Sequence, residues 1–158
     1  MQSYIEMSGY GFRKSLCEDA TTWFLNKFLP RHKLNIQIVH RGLKRESILG
    51  SCDFIDYYKR PGCFRIELDT YMDEETYLKT LFHELAHLRQ WVVGSLRLRY
   101  GKMCYCKEPV QNYEYWNRPH EIEAREQESL LYLQYLVSKR GPVQEVVHYF
   151  PNRLCSAL

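Results

Sequence analysis

Between Asp73 and Gly94 the chain carries apolar residues whose spacing admits one local structure. Leu78, Leu81, Phe82, Leu85 and Leu88 recur at steps of three and four, which lines them up along one side of a helix. Asp73 suits the N-cap, because its carboxylate can accept the unpaired amide hydrogens of the first turn, and Glu74 and Glu75 then lie at the positive end of the helix dipole. Gly94 tolerates the left-handed backbone that ends a helix, so Val93 is the expected last helical residue. A helix of this length with one apolar side must be covered by other layers.

The rest of the chain supplies them. Leu16, Ala20, Trp23, Phe24 and Phe28 predict a helix over 12–28, closed by Pro30. The stretch 34–40 (L-N-I-Q-I-V-H) alternates apolar and polar residues, as a half-buried strand does; 63–68 (C-F-R-I-E-L) does the same after a Pro61-Gly62 turn, and 50–57 is a weaker strand. A short hairpin is expected over 96–105, around Gly101-Lys102. The last long helix opens at Pro119, runs to Ser138 and is ended by Gly141-Pro142. From Val143 the chain reads equally as a short helix or an extended strap. The pattern predicts an α+β fold in a single domain spanning 1–158. A small mixed or antiparallel sheet would pack on the 73–93 helix and the C-terminal helix.

Composition removes several classes of function. With 45% hydrophobic and 26% charged residues the chain reads as globular, and a net charge of +3 is too small to indicate nucleic-acid binding by itself. The basic groups Arg41/Lys44/Arg45, Lys59/Arg60 and Arg97/Arg99/Lys102 read first as solvated rims, with a groove for an acidic partner as the alternative. No apolar run approaches the ~20 residues needed to span a bilayer, so no membrane association is expected. The opening Met-Gln-Ser-Tyr-Ile-Glu lacks the basic flank and apolar core of a secretion signal. Cysteines 17, 52, 63, 104, 106 and 155 are therefore expected as reduced thiols of a cytoplasmic protein.

The 73–93 helix also carries chemistry. Residues 83–87 read H-E-L-A-H. His83 and His87, one turn apart, can bring both imidazoles to one metal ion, and zinc accepts such nitrogens while leaving a position for water. Glu84, beside the first imidazole, can take a proton from that water and pass it to a leaving group. Two histidines hold zinc weakly, so a third ligand is required. The candidate segment is R-P-H-E-I-E-A-R at 118–125, where Glu121 and Glu123 project about 160° apart. Glu123, Gln127 and Gln134 read as a solvated polar stripe, which favours Glu121 inward. Glu123 is the alternative, with His120 behind it.

The H-E-L-A-H motif followed by R-x-x-E-x-x-A resembles the gluzincin branch of zinc metallopeptidases. The longer run from F-R-I-E-L-D through T-L-F-H-E-L-A-H-L-R-Q-W to Y-W-N-R-P-H-E-I-E-A-R-E is similar to SprT-like metallopeptidases found in phage genomes, over roughly residues 63–128. The resemblance implies a zincin-like fold, one Zn2+, a protein or peptide substrate, weak association with DNA, and a place in the host cytoplasm. It assigns the third ligand to Glu121 and implies that the 63–68 strand offers its edge to an extended peptide. Two departures stand out. SprT proteins proper use a third histidine where this chain offers Glu, and Arg125 stands where many gluzincins place an acid or amide to orient a ligand histidine.

Tyr113, Tyr115, Arg118 and His120 are the candidate donors for a developing oxyanion. Trp91 and Trp116 read as packing residues rather than substrate platforms. Cys104-Tyr105-Cys106 lacks a second ligand pair and reads as ordinary thiols rather than a structural zinc site. The expected function is a zinc metallopeptidase; the alternative is a non-catalytic module of the same fold that binds protein or DNA.

Overall fold

The computed structural model describes residues 3–11, 13–56 and 60–141. Among these it is a mixed α+β structure with three α-helices and two small sheets. The larger sheet has the order β1-β2-β4-β3, from β1 (Tyr4–Gly9), β2 (Asn35–Arg41), β3 (Gly50–Phe54) and β4 (Cys63–Asp69). β1, β2 and β4 run parallel and β3 is antiparallel to β4, so the sheet is mixed. Parallel neighbours need a crossover, and α1 (Lys14–Phe28) provides it between β1 and β2. β1 was not expected; it is an edge strand without buried side chains, so its sequence carries little of the alternation that marks β2 and β4.

β4 is flanked by β2 on one side and β3 on the other. The expectation that residues 63–68 offer a free edge is therefore corrected. The backbone of β4 is already paired, and β3 is the outer strand next to it. A hairpin partner contributed by 50–54 occupies the edge that the sequence left open.

One face of the sheet is covered. Ile36, Ile38, Phe64, Ile66 and Leu68 are fully buried and join Phe24 of α1 and Leu81, Phe82 and Leu85 of α2 (Glu74–Val93) in one core. α3 (Pro119–Lys139) packs along α2 and closes this layer. Trp23, Phe82 and Tyr135 meet edge to face where the three helices join, at centroid distances of 5.5 and 5.6 Å from Trp23. α2 begins and ends as expected: Asp73 accepts from the Thr76 amide, and Gly94 takes a φ of 83°. α3 ends at Lys139, one residue past the expected Ser138.

The second sheet is the predicted hairpin, β5 (Leu96–Arg99) and β6 (Lys102–Tyr105), extended by β7 (Glu108–Pro109). Its turn residues are Tyr100 and Gly101, both with positive φ (50° and 74°), one place earlier than expected. Two left-handed residues in succession match the twist of paired strands. Among the described residues, Cys17, Cys52, Cys63 and Cys104 are free thiols, whereas Cys106 is disulfide-bonded. That corrects the expectation of reduced thiols at this position: pairing depends on which sulfurs the fold brings together, which spacing alone does not reveal. Tyr57, Lys59, Pro142, Cys155 and the segment from Val143 lie outside the described residues. Among the described residues no helix is long and apolar enough to cross a membrane.

Ile38 sits fully buried in the central strand, while Leu133 is exposed on α3. Ile38→Ala is expected to cost about 2–5 kcal/mol in urea unfolding and Leu133→Ala less than about 0.5 kcal/mol. Equal costs would contradict this assignment of the core.

Candidate metal centre

α2 presents His83 and His87 on the side that meets the start of α3. There His83 Nε2 and His87 Nε2 are 3.2 Å apart, and each is 3.5 Å from Oε2 of Glu121. Ligands shared by a tetrahedral ion at about 2.0–2.1 Å lie about 3.3–3.4 Å from one another. The three donor atoms thus form a triangle of the size one such ion requires. His83, His87 and Glu121 form a group that could hold a metal ion, and among the described residues no other group of this kind occurs.

The other ring nitrogens decide which lone pairs point inward. His83 Nδ1 lies 2.9 Å from Oε2 of Glu128, an oxygen that can only accept from it while the carboxylate is ionised. His87 Nδ1 lies 2.9 Å from Oε1 of Gln90, a carbonyl oxygen. In the neutral rings both protons therefore sit on Nδ1 and both Nε2 lone pairs face Glu121. With neutral rings, three lone pairs converge on one point, a donor set that could hold a cation.

The electrostatics agree. Burial favours the neutral form of His83, but its bonds to Glu121 and Glu128 outweigh this and raise its pKa to about 9. Burial also works against ionised Glu121; contacts with His120, His83 and His87 overcome it and hold the carboxyl well below the usual range. Positive charge is favoured at this point, whether a proton or a metal ion supplies it.

Glu84 lies beside the triad, 6% exposed. Burial raises its pKa to about 7, against the opposing pull of His87 and His83. Its position depends on Gly50, the first residue of β3. A Cβ at residue 50 would lie 2.9 Å from Thr80 Cγ2 and 3.0 Å from Oε1 of Glu84. β3 can approach α2 this closely because residue 50 has no side chain. Next to this contact, Cys52, Asp53 and Phe54 of β3 join His87, Trp91, Leu96, Met103, His120 and Glu121 around a cavity of about 160 Å³.

Glu123, the alternative ligand, is placed elsewhere. Its Oε2 accepts from Gln90 Nε2 at 3.1 Å and from the Tyr105 hydroxyl, on the flank of the site rather than in the triangle. The polar stripe of Glu123, Gln127 and Gln134, expected to be solvated, lies against the protein instead. Gln127 is 3% exposed and Glu123 is half-buried, so the stripe they share is not solvated. Glu123 meets Gln90 and Tyr105 there, whereas Oε1 of Gln127 and Oε1 of Gln134 are buried without a hydrogen-bond partner among the described residues.

Of the proposed oxyanion donors, His120 is buried with Nε2 3.5 Å from Oε1 of Glu121. Tyr115 is half exposed; burial, then the nearby carboxylates of Glu121 and Glu84, raise its pKa. Arg118 lies over the Tyr115 ring, 5.5 Å from its centroid. Tyr113 is 38% exposed in the loop after a short 3-10 turn. Trp91 packs on Phe54 as expected, at 4.8 Å between centroids. Trp116 does not pack in the core: it is 70% exposed, with the Arg125 guanidinium 5.4 Å from its ring centroid. It lies just ahead of α3, where no apolar layer is available to cover it.

The sequence reading missed Glu128, Gln90, Tyr105 and Gly50. Two of them left a signal: Glu128 is seven residues after Glu121, hence on the same side of a helix, and Gln90 is one turn after His87. In comparisons with known protein families, curated proteins and solved structures, the chain matches none.

Gly50→Ala is expected to destabilise the protein by about 1–3 kcal/mol through overpacking against Thr80 and Glu84. An unchanged urea midpoint would show that β3 yields freely there.

Proposed function

We propose that the chain is a zinc-dependent metallopeptidase of zincin-like type, acting on protein or peptide substrates. The observation that carries this reading is the triangle of His83 Nε2, His87 Nε2 and Glu121 Oε2, with separations of 3.2, 3.5 and 3.5 Å. Two imidazoles and one carboxylate are the donor set of catalytic rather than structural zinc, which keeps an open position. The resemblance of H-E-L-A-H and R-x-x-E-x-x-A to gluzincins points the same way.

His83, His87 and Glu121 would hold the ion. When bound, zinc supplies Lewis acidity, polarising a carbonyl and bringing the pKa of a water from about 15.7 towards about 7. Glu84, buried beside the ligands, accepts a proton from the attacking water and returns it to the departing amine. Its neighbour Gly50 lets β3 lie close against this carboxylate. β3 has an unpaired edge among the described residues, and an extended peptide adding to that edge would run past Glu84. Tyr115, at the rim and near Glu84 and Glu121, is the donor best placed to meet negative charge developing on a carbonyl oxygen.

Zinc content and casein cleavage, measured on the same preparation, test the reading. Glu84→Gln should keep its zinc and lose about 10²–10⁴-fold in turnover. Full activity in that variant would remove Glu84 from the reaction. His87→Ala should lose the metal and also unfold at lower temperature, because ion binding and folding are coupled. Unchanged metal content would refute the ligand assignment.

A further inference from the structure

Gln90 is 1% exposed and every polar atom of its side chain has a defined partner. Its Nε2 donates to the His120 carbonyl at 2.9 Å and to Oε2 of Glu123 at 3.1 Å. Both amide protons are thereby used, and Oε1 is left 2.9 Å from Nδ1 of His87. The reversed amide would aim Oε1 at two acceptors, a carbonyl and a carboxylate, deep in the protein where such a mismatch is most costly. The amide therefore has one orientation, and that orientation demands a proton on Nδ1 of His87. Glu123 is fixed in turn. The same Oε2 that receives Gln90 also receives the hydroxyl of Tyr105, a 7% exposed residue at the end of β6.

We propose that Gln90, Glu123 and Tyr105 act as a positioning relay that fixes the tautomer and ring orientation of His87, making the β5–β6 hairpin a working part of the metal centre. This rests on the reading of His83, His87 and Glu121 as a metal site. The relay ties three elements to one imidazole: α2 through Gln90, α3 through Glu123 and the hairpin through Tyr105. The other ligand histidine is supported differently, by the single carboxylate of Glu128. The two Nδ1 atoms thus have separate supports, and a defect in the hairpin should loosen that of His87 while leaving the Glu128 bond of His83 in place.

The test combines zinc affinity, from competition with a chelator, with ¹⁵N spectra of the imidazoles in the metal-free protein. Gln90→Leu, similar in size, should weaken zinc binding about 10–100-fold and turn His87 from a single Nδ1–H tautomer into a mixture, while His83 keeps the proton on Nδ1 that faces Glu128. Tyr105→Phe, a smaller change outside the α2–α3 contact, should produce the same spectral effect more weakly and a several-fold loss of affinity. It serves as the decisive variant where Gln90→Leu does not fold. Wild-type affinity with an unaltered His87 spectrum in a folded variant would overturn the relay. Failure of the wild-type protein to bind zinc would instead overturn the metal reading, and the imidazole spectra would still decide whether the relay sets the His87 tautomer.

Discussion

Three electron-rich atoms with nothing between them are unstable company, and the arrangement at His83, His87 and Glu121 depends on positive charge to hold it together. Without an ion, the proton favoured on His83 supplies that charge. A divalent ion of suitable size would supply it better, because it would satisfy all three lone pairs at once. Ion and proton would then compete for the same place, and binding of a metal there would release protons. The fold around the triad prevents the donors from relaxing apart.

That restraint has two sources. α2 carries both imidazoles on adjacent turns, and its buried face locks it onto the sheet through Leu81, Phe82 and Leu85. α3 delivers the carboxylate from a distant part of the chain and is held against α2 along its length. β3, brought close by Gly50, bounds the site on the third side. α2 and α3 thus line one flank of the triad, and β3, the outermost strand of its sheet among the described residues, lines the other.

Much of this was legible in the sequence, because local rules decide it. The Asp73 cap, the Gly94 stop and the H-E-L-A-H spacing depend on residues a few positions apart, and the structure agrees with each. The choice of Glu121 over Glu123 was also legible, although the supposed solvated stripe was in fact buried polarity, as Gln127 demonstrates. What could not be read depends on contacts between segments far apart in the chain. That β4 lies inside the sheet, that Glu128 reaches His83, that Trp116 stays exposed and that Cys106 is bonded all follow from which elements become neighbours. A strand such as β1, half-exposed at an edge, leaves too faint an alternation to be noticed.

The spacing of Glu121 and Glu128 has a consequence for how α3 can vary. Seven residues at 100° each bring the second carboxylate within about 20° of the first, so one helical face provides both a donor to the triangle and the acceptor behind His83. Rolling the helix by one residue, about 100°, would withdraw both together. An insertion or deletion of a single residue between them would separate the pair onto different faces. α3 is keyed like a cam on its shaft, free to change in what it shows to solvent and fixed in its angle of rotation.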